Sequence, residues 1–159
     1  MSTPVVGDDC PAFDLPEADG SRVTKPSLSG HPFVLYFYPK DDTSGCTLEA
    51  IEFTALIDQF DAAGTPVLGV SPDPVKQHCK FRDKHALKVK LLSDEEKSLI
   101  QAFGVWAQKS MYGKTYMGVE RTTVLVGADG RIAQVWPKVK VPGHAQEVLA
   151  AAQALAKGA

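Results

Sequence analysis

The sequence predicts an α/β protein, a mixed β-sheet sandwiched between helices. Short continuous apolar runs, the kind buried on both faces of a sheet, occupy His31–Tyr38 and Thr65–Val70. Stretches of helical periodicity alternate with them. Two later runs, Arg121–Val126 and Arg131–Trp136, flank Ala128-Asp129-Gly130, an Asp-Gly hairpin signal.

Taken in order, the first run is rich in aromatic and β-favouring residues and stops at Pro39, which cannot donate to a ladder. Thr43-Ser44-Gly45 is a helix-start cluster. From Cys46 to Phe60 the residues Leu48, Ile51, Ala55, Leu56 and Phe60 recur at helical spacing, predicting one helix. After the Thr65–Val70 strand, Pro74 suits the first turn of a helix reaching about His85. Val89–Leu92 is a short strand and Asp94–Phe103 a short helix. The Ala-rich segment His144–Lys157, with Gly158 behind it, closes the chain as a helix.

A chain of 159 residues fits one domain, 1–159, large enough to bury a core without disulfide staples. Hydrophobic content of 44% and charged content of 23% are those of an ordinary globular protein. A net charge of −2, with Lys and Arg scattered, gives no support for nucleic-acid binding, and no nucleic-acid partner is expected. The densest basic stretch, Lys80 to Lys90, is broken by Asp83 and reads as a solvated face. No apolar run approaches membrane-spanning length and the N-terminus has no signal-peptide pattern, so a cytoplasmic location is expected. Three cysteines, an odd number, argue against a secreted disulfide scaffold and for redox or catalytic use.

Cys46 is the candidate nucleophile. It opens a helix directly after a strand, where unpaired backbone N–H groups carry partial positive charge. A thiol there ionises more easily, and the thiolate is the reactive form. The alternative is a packed structural thiol, since free cysteine is among the most buried residue types. Thr43 three positions before it, and Gly45 beside it, which allows close backbone approach, favour the reactive reading. Other signals carry nothing. Gly113-Lys114-Thr115 lacks the glycine a phosphate loop requires, and no cysteine pair has C-x-x-C spacing. His31, His78, His85 and His144 show no metal-ligand spacing with carboxylates, so no metal is expected.

The run Pro39-x-x-x-Thr43-x-x-Cys46 resembles the active-site signature of the peroxiredoxins. Tyr36–Lys40 and Gly45-Cys46-Thr47-Leu48-Glu49-Ala50 resemble the bacterioferritin-comigratory, or PrxQ, subgroup. So do Gly7-Asp8, Phe13-x-Leu15-Pro16, Leu91–Asp94, Phe103–Trp106 and the placement of Arg121. The resemblance implies a thioredoxin-like fold, a central mixed sheet flanked by helices with an N-terminal β extension. It implies a thiol-dependent peroxidase acting on hydrogen peroxide and organic hydroperoxides through a Cys46 sulfenic acid. No cofactor is implied, the chain would be a monomer, and thioredoxin or glutaredoxin would be the reductant.

Ionisation alone gives such a thiol little. Complete conversion of a free cysteine to thiolate gains roughly 30-fold at neutral pH. The accompanying loss of intrinsic nucleophilicity costs roughly tenfold. The rest must come from groups that orient the peroxide and stabilise its leaving oxygen. By resemblance Arg121 supplies the cation, Thr43 and the Cys46 N–H supply hydrogen bonds, and Pro39 shields the sulfur. Glu49 would hold an arginine in place.

The chain departs from the subgroup where many members carry a resolving cysteine five residues after the first; Ile51 stands there. By resemblance the resolving role passes to Cys79 on the helix from Pro74, near the position of Arg82 where relatives carry theirs. A core-facing Cys79 is the alternative. Cys10 reads as structural filler. Oxidation would then unwind the first turn after Cys46, the Cys79 helix, or both. A redox sensor or holdase chaperone using the same Cys46 is the rival from another class.

Overall fold

The computed structural model describes residues 4–158. Five strands form the central sheet: β3 (Phe33–Phe37), β4 (Val67–Ser71), β5 (Lys90–Ser93), β8 (Thr122–Val126) and β9 (Ile132–Trp136), in the order β5-β4-β3-β8-β9. β3, β4 and β5 run parallel; β8 is antiparallel to β3 and β9 to β8. The sheet is therefore mixed, as expected. β1 (Asp14–Pro16) and β2 (Arg22–Thr24) form the N-terminal β extension.

The two-residue period of β3 divides the core. Val34, Tyr36 and Tyr38 face a cluster with Phe53 and Phe60 from the first helices and Val148 and Leu149 from the last. Phe33, Leu35 and Phe37 face a second cluster with Phe13, Leu99, Ile100 and Phe103. Both faces of β3 are covered, which is why its sequence is apolar throughout.

The helices are α1 (Ser44–Ala55), α2 (Ile57–Ala62), α3 (Val75–His85), α4 (Ser98–Ala102) and α5 (His144–Gly158). The single helix expected over 46–60 is broken at Leu56, whose φ/ψ of −105°/6° leaves the helical region. The break lets Ile57 and Phe60 turn into the core while Leu56 lines its edge. The helix expected over 94–103 shrinks to Ser98–Ala102. Buried Asp94 stands before it and accepts hydrogen bonds from the Ser98 and Ile100 amides, so it caps the helix instead of joining it.

Residues 104–120, unassigned from sequence, form an antiparallel hairpin of β6 (Trp106–Met111) and β7 (Lys114–Val119). Its turn is Tyr112-Gly113, with φ of 54° and 77°, the positive pair a type I′ turn requires. In Gly113-Lys114-Thr115 the glycine is the second turn residue and Lys114 and Thr115 open β7.

Candidate active site

The loop Pro39–Thr43 links the end of β3 to α1. Thr43 occupies the N-cap position with extended φ/ψ of −89°/157°, and α1 opens Ser44, Gly45, Cys46. Amides in this first turn have no carbonyl one turn earlier to bond, so they face outward. Cys46 is 1% exposed and packs in the cluster of Tyr36, Tyr38, Ala50 and Phe53.

Strand register brings in the cation. Phe37, the last residue of β3, pairs with Thr122, the first of β8, so Arg121 emerges beside the loop that follows β3. Its backbone carbonyl accepts a hydrogen bond from the Val139 amide at 2.9 Å. Its Nη2 points at the Cys46 Sγ at 3.3 Å, and its Nη1 donates to Glu49 Oε1 at 2.6 Å. One guanidinium thus bridges two residues on a single face of α1, three positions apart. Gly45 makes the space: a Cβ there would stand 3.1 Å from Arg121 Nη2.

The electrostatics of the bridge follow from burial. Burial pushes the Glu49 carboxyl up to about 7, with the Arg121 charge pulling it back. Burial works against the Arg121 charge, yet Glu49 and Cys46 together raise its already high value further. Two buried polar atoms lack a hydrogen-bond partner within the described residues, Glu49 Oε2 and Tyr36 Oη. The Tyr36 ring stacks on Phe53, and Gly69 opposite leaves room for it: a Cβ at 69 would sit 2.6 Å from the ring. Burial, with the Glu49 charge next, holds the Tyr36 phenol well above its usual range.

The other expected residues stand as follows. Pro39 is half-buried at the start of the loop. The Thr43 side chain is exposed; its hydroxyl donates to the Lys40 carbonyl at 2.9 Å rather than to the sulfur, and it accepts no hydrogen bond from a helix amide. Its lone pairs remain open to a donor. Cys79 lies on α3, half-buried rather than core-facing, with Arg82 Nη2 at 3.6 Å from its sulfur and Asp83 Oδ2 at 3.8 Å. All three cysteines are free thiols.

Sequence spacing missed the environment of His78. It is fully buried, with Nδ1 at 2.6 Å from Asp41 Oδ2 and Nε2 at 3.0 Å from the Leu92 carbonyl. Tyr38 donates to the other Asp41 oxygen at 2.6 Å. Asp41, Asp73 and His78 place ligand-type atoms within 4.8 Å of one another, so His78 does have carboxylate neighbours, 37 and 5 residues back in the chain. Only the fold brings Asp41 to it.

A thiol at an open helix start, with a guanidinium against it, suits attack on a peroxide bond. The AhpC/TSA family profile matches residues 6–135. The chain belongs to the peroxiredoxins. It is 48% identical over 147 residues to peroxiredoxin Bcp of Xanthomonas campestris, covering 91% of this chain and 92% of that one. It is 41% identical over 143 residues to peroxiredoxin Bcp of Escherichia coli K12, covering 90% and 92%. Among solved structures, the Xylella fastidiosa PrxQ mutant superposes with a TM-score of 0.91 at 39% identity, covering 97% and 98%. The Xanthomonas campestris bacterioferritin comigratory protein, studied for alkyl peroxide reduction, superposes at 0.86 with 46% identity, covering 91% and 92%. The fold is the thioredoxin-like one, and this peroxiredoxin is a thiol-dependent peroxidase that acts on peroxides and draws on a thiol reductant. No helix among the described residues is long and apolar enough to cross a membrane.

Proposed function

We propose that Cys46 is the peroxidatic thiol and Arg121 the cation that stabilises the departing oxygen. The carrying observation is the 3.3 Å approach of Arg121 Nη2 to the Cys46 sulfur inside a buried cluster. The Cys46 thiolate attacks one peroxide oxygen, the O–O bond breaks, and the other oxygen leaves as hydroxide or alkoxide and takes up a proton. Sulfur gives up two electrons and becomes the sulfenic acid. The guanidinium touches both nucleophile and leaving group, where a preorganised charge counts most.

Thr43 keeps donating to Lys40 and accepts a hydrogen bond from the O–H of the hydroperoxide. Pro39 limits water at the sulfur. The Cys79 thiolate then attacks the sulfenic sulfur, an S–S bond forms, the S–O bond breaks, and hydroxide leaves as water. A dithiol protein, thioredoxin or alternatively glutaredoxin, reduces the disulfide through a mixed-disulfide exchange. The chain works as one domain over 1–159, monomeric and cytoplasmic, on hydrogen peroxide and organic hydroperoxides.

The test is mass spectrometry of the peroxide-treated protein with steady-state turnover of Cys79→Ser. A Cys46–Cys79 linked peptide, and loss of thioredoxin-supported turnover in the variant, are expected. Full turnover of Cys79→Ser would establish a one-cysteine cycle instead. Oxidation that stops after a single equivalent even with reductant present would point to a sensor.

A further inference from the structure

The strip of α3 that carries Cys79 runs against helix electrostatics in two ways. Lys76, Cys79, Lys80 and Asp83, spaced by threes and fours, share one face of the helix, away from buried His78 and Phe81. Lys76 is the second residue of α3, in a first turn with no acidic side chain. A helix N-terminus carries partial positive charge, so a cation there is unfavourable. Lys80 stands one turn further on, and like charges four residues apart repel. The last turn follows the ordinary pattern, with Arg82, Lys84 and His85 at the negative end.

The neighbouring cations are engaged. Arg82 pairs with Asp83 at 3.2 Å, and Lys84 with Asp42 at 2.7 Å. Lys76 and Lys80 are exposed, and among the described residues neither has an ion pair. Two unpaired ammonium groups therefore flank Cys79, in a chain whose net charge is −2. Local choices that oppose the stability of their own helix concentrate where a surface serves function.

Exposure decides which sulfur a partner meets. Cys46 is 1% exposed, whereas Cys79 is half-buried on this open strip. A dithiol protein reducing a Cys46–Cys79 bond therefore sends its thiolate against the Cys79 sulfur. The S–S bond breaks and Cys46 leaves as the thiolate, the charge that Arg121 faces in the reduced fold. The partner's second thiol then displaces Cys79, whose sulfur takes up the proton. The partner departs as a disulfide, two electrons poorer.

We propose that the Lys76–Lys80 strip of α3 is the docking face for the reductant, a dithiol protein whose redox cysteines are rimmed by carboxylates. The proposal rests on Cys79 being the resolving cysteine. The two ammonium groups draw the acidic rim onto the helix and fix its register, which sets the attacking thiolate over the Cys79 sulfur. Lys76 and Lys80 are positioning residues, since neither takes part in the oxidation of Cys46.

The experiment measures turnover at saturating hydrogen peroxide while the reductant is varied. One series uses a thioredoxin of net negative charge, or an acidic glutaredoxin if thioredoxin does not turn over the wild type. The other uses dithiothreitol, a small uncharged dithiol. The double variants are Lys76→Gln with Lys80→Gln, and Lys76→Glu with Lys80→Glu. The kcat/KM for the protein reductant is expected to fall about tenfold in the Gln pair and about 100-fold in the Glu pair. Turnover with dithiothreitol should stay within about twofold. Raising salt from about 0.05 to about 0.5 M should slow the wild type with its protein reductant and leave the Gln pair flat, because exposed charges are screened. The melting temperature should hold, or rise in the Glu pair, since an acid suits the first turn. A merely structural role would lower it and slow both reductants together. An unchanged kcat/KM for the protein reductant, or an equal fall with dithiothreitol, overturns the docking face alone when the wild type forms the Cys46–Cys79 bond. Absence of that bond in the wild type overturns the resolving role and the docking face with it.

Discussion

Cys10 and Cys46 are both 1% exposed, yet their surroundings could hardly differ more. Among the described residues the one hydrogen-bond partner of the Cys10 sulfur is the Pro11 carbonyl, at 3.5 Å, while the nearby Lys25 ammonium is spent on the Cys10 backbone carbonyl at 2.6 Å. Burial pushes its thiol up to about 11, with the Lys25 charge acting in the opposite direction. Cys46 has as little access to water but lies at a helix start with a guanidinium N–H aimed at the sulfur. Burial by itself therefore says nothing about a cysteine's chemistry; the donors enclosed with it decide.

The sharpest way to break the contrast is to remove the guanidinium. Arg121→Met should lower kcat/KM for hydrogen peroxide by about 10²–10³-fold, the cost of losing a preorganised charge at a developing oxyanion. It also leaves Glu49 buried without its partner. The double variant Arg121→Met, Glu49→Gln should therefore melt higher than Arg121→Met alone and be no more active. Recovery of activity in the double variant would show that Arg121 only neutralises Glu49.

Next comes Gly45→Ala, whose new methyl would press on Arg121 Nη2. Peroxide turnover should fall roughly tenfold with little change in melting temperature, because a small misplacement of a catalytic group is expensive. An unchanged rate would mean the guanidinium relaxes at no cost.

Glu49→Gln should lower peroxidase activity a few-fold by loosening the bridge. Its clearer signature is in stability. The carboxyl is raised from its ordinary 4.5 to about 7 in the fold. Native protein thus holds a proton that unfolded chain has released, and this contribution, complete below about 4.5, is lost as pH rises through about 7. The total is about 3 kcal/mol. Denaturant titrations should show that decline in the wild type and a flatter profile in Glu49→Gln; identical profiles would refute the assignment.

The smallest effect belongs to the other cysteine. Cys10→Ser should leave peroxide turnover within about twofold of wild type. Alkylation at neutral pH, mapped by mass spectrometry, should mark Cys46 long before Cys10. Equal labelling would erase the distinction between the two sites.

How much of this could be read from the chain alone varies with the range of the interaction. The β3–loop–α1 unit was legible because its signals are local: an apolar run, Pro39, then Thr43-Ser44-Gly45 ahead of helical spacing. The Arg121–Cys46 contact spans 75 residues and depends on β8 returning beside β3, so only the family resemblance suggested it. The His78–Asp41 pair was invisible for the same reason, with no spacing rule to connect them. The β6–β7 hairpin escaped because most of β7 faces solvent, leaving no apolar alternation to read. Asp94 reads as a helix residue in the sequence because a capping side chain and a first-turn side chain look alike there.

Phe37 faces Thr122 across the β3–β8 pair, which sets where Arg121 emerges. Moving β8 by a single residue would turn the guanidinium to the opposite side of the sheet. Peroxide consumption therefore works as a vernier for refolding. A collapsed population with full helical circular dichroism and three titratable thiols, but with these two strands misaligned, would be silent in the assay.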